Sequence, residues 1–446
     1  LKIDDCWQAG IFADNYLCVN YQNNSSMKEQ QIKQAFEYAK LRYAELGIDV
    51  ESAMSQLDKL PISLHCWQTD DVRGFEDGDG ELTGGIQATG NYPGRARTIA
   101  EVRADIDKAM SLIPGDHRVN IHAFYGDFQG QKVDRNQIEP KHFQSWIDWA
   151  KEKNYKLDFN CTCFSHEYSA DGFTLSHRDP AVREFWIEHV IRSRKIAEEM
   201  GRQLGSKCIH NIWIPDGSKD LTVDRYLYRK NLKESLDKIF EYKTNDEYML
   251  DSIECKLFGI GSESYTVGSH EFYMGYGIAN NKMITLDSGH FHPTEVISDK
   301  ISSLLLFAPE IMLHVSRGVR WDSDHVVIQS DELLALTQEI IRANAVDRVH
   351  IGLDYFDASI NRIGAYVVGV RATQKALLQA LLEPITQLRN YEATGCYFER
   401  LALLEEAKSL PWSAVYDYYC MKQGVVSAED YIATIQQYEE EITLKR

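Results

Sequence analysis

No apolar run in this 446-residue chain approaches the ~20 residues needed to cross a bilayer, so no helical membrane span is expected. Cationic side chains are outnumbered, and the net charge of −19 argues against nucleic acid or an anionic membrane as partner. The nine cysteines (Cys6, Cys18, Cys66, Cys161, Cys163, Cys208, Cys255, Cys396 and Cys420) include no C-x-x-C pair. Cys161-Thr-Cys163 alone is too little for a zinc site, and a cytosolic chain with reduced thiols is the simplest account. Residues 1–26 have neither a basic n-region nor a long apolar h-region, so they do not read as a secretory signal. Met27 then opens a clean helical pattern. Residues 1–26 are therefore expected to be an upstream or non-native extension, with Met27 as the natural start.

What is present is a repeating unit. An apolar, β-branched run ends in a polar or aromatic residue, a loop follows, and then a helical pattern. The runs are Ile62–Trp67, Val119–Ala123, Leu157–Asn160, Ile209–Trp213, Leu250–Lys256, Met283–Asp287, Ile311–His314 and Val349–Asp354. Helical patterns follow at Ala100–Leu112, Lys141–Lys153, Ala181–Leu204, Val223–Tyr242, Thr266–Ile278, Pro293–Leu306, Glu332–Asn344 and Ile360–Leu382. Eight of each is the count of a (β/α)₈ TIM barrel, an α/β fold. A doubly wound sheet would normally carry a glycine-rich phosphate turn after its first strand, and none is present. The expected organisation is N-terminal helices at 27–60, a barrel at 61–390 and a C-terminal helical extension at 391–446. That extension is read as Glu392–Ala407, Pro411–Gln423 and Ala428–Ile442. Two long loops, Asp70–Gly94 and Ser165–His177, fall on one rim, where loops of that length usually cover a site. Asp77-Gly-Asp79 in the first lacks the twelve-residue calcium pattern and reads as a solvated turn.

The ends of barrel strands converge at one rim. Here they carry His65, Trp67, His122, Trp213, Glu254, Lys256, Asp287, His314 and Asp354. The stretch Met283–His325 is the densest, with Asp287, His290, His292, His314, Asp322, Asp324 and His325 as possible metal ligands. Glu254, Asp287, His314 and Asp354 come from four successive strands. Three carboxylates and an imidazole suit manganese, magnesium or zinc better than a soft thiolate metal. Asp322, Asp324 and His290 lie in the loops beyond and could hold a second cation. Five carboxylates minus Lys256 leave about −4, which two divalent ions would cancel. A solvated acidic cluster is the plainer reading, but it does not explain why the charges follow apolar β runs. Trp67, Trp213, Phe164 and Trp321 sit at or just beyond strand ends. An aromatic wall beside a polar, metal-binding floor points to a sugar or polyol.

Several long motifs carry a resemblance. H-C-W-Q at 65–68, T-G-G-I-Q-A-T-G-N-Y-P-G at 83–94 and N-I-W-I-P-D-G at 211–217 are three of them. E-C-K-L-F-G-I-G at 254–261, D-S-G-H-F-H-P-T-E at 287–295, H-V-S-R-G-V-R-W-D-S-D-H-V-V at 314–327 and H-I-G-L-D-Y-F-D-A-S-I-N-R at 350–362 are the others. Together they resemble the L-rhamnose isomerase family from about Met27 onward. The resemblance implies a homotetrameric barrel enzyme interconverting L-rhamnose and L-rhamnulose with two divalent ions per subunit, typically manganese, with zinc or cobalt as alternatives. It also implies that Glu254, Asp287, His314 and Asp354 hold a structural ion. His290, Asp322 and Asp324 would hold a catalytic one, with Lys256 and His122 near the sugar.

Aldose–ketose isomerisation can run through an enediol or by hydride migration from C2 to C1. Two cations favour the second route. Lys256 is then expected to stabilise charge on O1, Asp324 to relay the hydroxyl proton and His290 to serve at the catalytic ion. Trp67, Trp213 and His122 are expected to contact the sugar. The nearest alternative is a ketose 3-epimerase on a similar barrel with one metal, and the group at 322–324 argues against it. A metal-dependent phosphatase or nuclease would want a basic surface, which this chain lacks. A non-enzymatic sugar-binding module would not need five carboxylates.

Overall fold

The computed structural model describes residues 27–76, 86, 88–319, 324–427 and 429–446. The segment 1–26, the Asp77-Gly-Asp79 turn, Gly84, Gly85, Trp321 and Asp322 lie outside the described residues.

Eight of the apolar runs are strands: β1 Ile62–His65, β2 Arg118–His122, β3 Lys156–Asn160, β4 Cys208–Ile212, β5 Met249–Glu254, β6 Met283–Asp287, β7 Ile311–Val315 and β8 Val349–Leu353. All neighbours are parallel, and the ring closes in the order β1-β8-β7-β6-β5-β4-β3-β2. Both strand faces are covered, so the runs read as nearly continuous apolar stretches rather than as alternation. One helix follows each strand: Ile99–Met110, Gln144–Lys153, Pro180–Leu204, Arg225–Glu241, His270–Asn280, Ser298–Leu305, Asp331–Arg342 and Arg362–Leu381. This is the (β/α)₈ TIM barrel expected from the repeat.

Local chemistry sets the boundaries. Thr98, Asp179, Asp224 and Ser330 cap their helices by accepting backbone N–H bonds. Pro180 opens the longest helix, where its missing N–H costs nothing, and Gly205 closes it at φ +60. β1 is shorter than expected because Cys66–Gln68 tightens into a 3₁₀ turn, which carries Trp67 inward to 5% exposure. Tyr265–Thr266 pairs antiparallel with Gly217–Ser218, so the following helix starts at His270 and not at Thr266.

The long helix is tied to the barrel by a buried ion pair. Arg194 Nε and Nη2 each lie 2.9 Å from an Asp251 oxygen on β5. Lys282 and His210 also reach Asp251. A bidentate pair satisfied on every side holds its geometry well.

The barrel strands and helices belong to one compact unit, Asp58–Ala380 with Ile432–Arg446. A second unit contains residues 27–57 and Leu381–Tyr431. In it, helix 27–44 buries Phe36, Ala39 and Tyr43, spaced three and four apart, while Leu41 falls off that stripe and is exposed. Phe36 stacks on Tyr418 with centroids 3.8 Å apart. The expected helix Glu392–Ala407 is two helices, Ile385–Ala393 and Tyr397–Lys408, because Gly395 between them sits at φ +74.

Candidate active site

The strand register brings the charged groups together. Asp287 at the end of β6 pairs with His314 on β7, and His314 pairs with Gly352 on β8. A Cβ at Gly352 would lie 3.2 Å from the His314 ring, so glycine leaves that ring its space. Glu254, Asp287, His314 and Asp354 each offer a ligand atom, all within 4.8 Å of one another. His314 Nδ1 lies 3.2 Å from Glu254 Oε1, 3.4 Å from Asp354 Oδ2 and 3.9 Å from Asp287 Oδ2.

A second group overlaps the first. Asp287, His290 and Asp324 also converge within 4.8 Å, so Asp287 belongs to both. Its two oxygens divide the work. Oδ1 accepts from Gly289 N at 2.6 Å and from Ser316 Oγ at 2.9 Å. Oδ2 is buried with no hydrogen-bond partner among the described residues. A Cβ at Gly289 would come 2.5 Å from Ser316 Oγ and push aside the hydroxyl that donates to Asp287. His290 Nδ1 lies 2.9 Å from the Cys255 carbonyl, which makes Nδ1 the donor and Nε2 the basic nitrogen. Asp324 has φ +40, an uncommon backbone for aspartate.

Electrostatics argue that this floor is built for cations. Burial lifts the Asp354 carboxyl to about 8, with Asp287 and Glu254 adding to the rise against His314. Burial also raises Asp287, opposed chiefly by His290. Burial draws His314 down, but Glu254, Asp354 and Asp287 outweigh it and lift the imidazole to about 9. Burial would raise Glu254 too, yet His314 and His290 hold it well below the usual carboxylate range. The cluster therefore keeps protons at neutral pH that a divalent ion would displace. An octahedral ion with bonds of about 2.1 Å spaces neighbouring ligand atoms about 3 Å apart. The separations of 3.2 to 3.9 Å around His314 Nδ1 are close to that spacing. The donor set and its geometry fit a hard or borderline divalent cation.

Above this floor opens a cleft. Trp67, His122, Phe164, Trp213, Lys256, Asp324 and Phe356 line it. Trp67 stacks on His122 with centroids 4.0 Å apart and meets Phe356 edge-on at 5.6 Å. Trp213 is half-buried, stacks toward His290 at 6.3 Å and carries Lys256 Nζ 4.9 Å from its ring centre. The His122 imidazole is held neutral, since burial drives it well below its usual value, with His314 and His65 adding to the fall.

Of the residues singled out in the sequence, Glu254, Asp287, His290, His314, Asp324 and Asp354 meet at the floor, and His122, Trp67, Trp213 and Lys256 meet in the cleft. Asp322 lies outside the described residues. His292 is exposed and bonds Thr294, His325 pairs through its backbone with Arg317, and neither is in the two ligand groups among the described residues. Asn160, Asn211 and Phe356 line the cleft without having been singled out. Asn160 Nδ2 lies 2.9 Å from His122 Nε2. Asn211 donates to Glu254 Oε2 and accepts from Thr285 Oγ1, so its amide turns toward the metal cluster. Asn160 ends β3 and Asn211 is the last residue but one of β4, and that position is the available signal.

The family model described as L-rhamnose isomerase (RhaA) matches residues 30–446. The chain is 61% identical over 421 residues to L-rhamnose isomerase of Bacteroides thetaiotaomicron, covering 94% of this chain and 100% of that protein. It is 56% identical over 416 residues to L-rhamnose isomerase of Escherichia coli K12, covering 93% and 99%. Among solved structures, D-psicose 3-epimerase from Clostridium cellulolyticum aligns over 72% of this chain and 97% of its own at 11% identity and a TM-score of 0.44. Similarity at that level says nothing about the reaction.

Proposed function

The chain belongs to the L-rhamnose isomerase family, and on that premise we propose that its rim cluster and cleft convert L-rhamnose to L-rhamnulose by a 1,2-hydride shift. The observation that carries this is the pair of overlapping ligand groups sharing Asp287 beneath an aromatic cleft that also holds Lys256. Glu254, Asp287, His314 and Asp354 would hold one divalent ion, and Asp287, His290 and Asp324, joined by Asp322, would hold the other. Manganese is the proposed metal, and when bound the ions supply Lewis acidity toward the two sugar oxygens.

The side chains do the rest. Trp213 and Trp67 cover the apolar face of the sugar and exclude water. Neutral His122, held by Asn160, hydrogen-bonds a sugar oxygen. Asp324 takes the O2 proton and relays it toward O1, with His290 fixing the geometry beside it. The C2 hydrogen moves with its electron pair to C1, so the O2–C2 bond becomes the new carbonyl. Lys256 stabilises the charge that develops on O1 before the proton arrives. Atoms balance without any outside donor. Glu254, Asp287 and Asp354 are committed to the floor, and Asp324 is assigned to the hydroxyl protons, so the hydride route is preferred over an enediol.

We further propose residues 27–60, 61–390 and 391–446 as the working divisions, with chemistry confined to the barrel. A homotetramer is proposed, and Tyr397, Phe398 and Leu401 offer exposed apolar surface for subunit contacts. A cytoplasmic location is supported by the seven described cysteines, none of which is in a disulfide. No helix among the described residues is long and apolar enough to cross a membrane. The deciding experiment is a coupled assay on L-rhamnose with chelated and then manganese-restored protein. Activity lost and regained supports the proposal, whereas activity indifferent to chelation removes the role of the floor.

A further inference from the structure

Arg135 is 2% exposed and sits in the short turn Arg135–Gln137 between β2 and its helix. Its guanidinium donates from Nε to Glu76 Oε1, and from Nη1 to the carbonyls of Thr162 and Phe164. It also lies 5.5 Å from the centre of the Phe124 ring. The backbone of the same residue acts in parallel. The Arg135 carbonyl accepts from His189 Nδ1 at 2.9 Å, and His189 Nε2 accepts from Thr162 N at 3.1 Å. The segment 162–164 is thus gripped twice by one residue, once through its side chain and once through His189. Thr162 Oγ1 adds a third tie, to Ala123 N just past β2.

That segment delivers Phe164 to the wall of the cleft, where it meets Trp213 edge-on at 5.8 Å and Phe124 at 5.9 Å. A buried guanidinium is a costly way to fill space, and an apolar side chain would pack the same volume. The planar fork does what an apolar side chain cannot: it fixes two carbonyls and a carboxylate in one geometry. We propose that Arg135 is a positioning residue for sugar binding, setting segment 162–164 and so the Phe164–Trp213 wall against which the sugar packs. The proposal rests on reading the cleft as the sugar site.

The test is steady-state kinetics on L-rhamnose, with manganese calorimetry in parallel, for Arg135→Met, Arg135→Lys and Glu76→Gln in the full chain. Arg135→Met should raise KM about tenfold while kcat stays within about twofold, the signature of lost substrate binding rather than lost chemistry. Manganese affinity should not change. Arg135→Lys should recover part of the KM, and Glu76→Gln should raise it about threefold. If Arg135→Met does not fold, the other two variants decide. KM unchanged in both, even with a lower melting temperature, would overturn the proposal and leave Arg135 a residue of the fold. A fall in kcat at constant KM would overturn it as well. An unmodified protein inactive on L-rhamnose would overturn the reading of the cleft itself, a result distinct from active protein with indifferent variants.

Discussion

Replacing Asp287 by Asn probes the shared corner of the floor. The substitution keeps the shape and one carbonyl oxygen, so the bonds from Gly289 N and Ser316 Oγ to Oδ1 can persist and the turn after β6 should hold. What is lost is the negative charge and the buried Oδ2, the oxygen that faces His314 at 3.9 Å and has no hydrogen-bond partner among the described residues. Removing a residue that only orients a metal ligand costs about 10- to 100-fold in affinity. Removing a ligand should exceed that, so a loss of at least about 100-fold is expected at each site, near 2.7 kcal/mol. Because Asp287 serves both groups, both ions should weaken together. Asp354→Asn touches only the first group and should spare the second. Calorimetric titration of chelated protein with manganese reads affinity and stoichiometry for both variants. One strong ion retained by Asp287→Asn, with affinity unchanged, would refute the sharing.

Other consequences follow from the same geometry. In the metal-free protein His314 titrates at about 9 and Asp354 at about 8, both above their unfolded values. These two groups hold protons that the unfolded chain would release, Asp354 between about pH 4 and 8 and His314 between about 6.5 and 9, so their contribution to stability should fall as pH rises through those ranges. Manganese should flatten the dependence by displacing those protons. Melting temperatures across pH, with and without metal, check this, and parallel curves would contradict it. Trp213→Ala should raise KM about tenfold, some 1.4 kcal/mol of lost binding, at little cost in melting temperature because the ring is only half-buried. Trp67→Ala would be a poorer probe, since that ring is packed between His122 and Phe356 and its loss leaves a cavity.

The barrel was legible because a strand covered on both faces must be apolar along its length, and eight such runs alternate with amphipathic stretches. The floor was legible where a charge follows such a run, as at Glu254, Asp287, His314 and Asp354. His292 and His325 show the limit of proximity in sequence: they lie within the densest stretch, yet the turn after Asp287 sends His292 to solvent. The place of Asp287 in both groups could not be read, because it depends on how near the loop residues His290 and Asp324 come to the end of β6. Asn160 and Asn211 are not legible as site residues, because asparagine near a strand end usually marks a turn. Arg135 gave no signal, since an arginine in a loop usually faces water. The break at Gly395 is hard to read because Tyr397–Lys408 beyond it buries no residue, so no change of apolar stripe marks the turn.

The most direct test of the central claim is isomerisation of L-rhamnose in deuterated water, with the product read by NMR or mass spectrometry. Hydride migration keeps the travelling hydrogen on carbon, so L-rhamnulose should carry little or no deuterium at C1. Near-stoichiometric deuterium at C1 would show that a base removes the C2 proton through an enediol, and the roles given to Asp324 and to the second ion site would then fall.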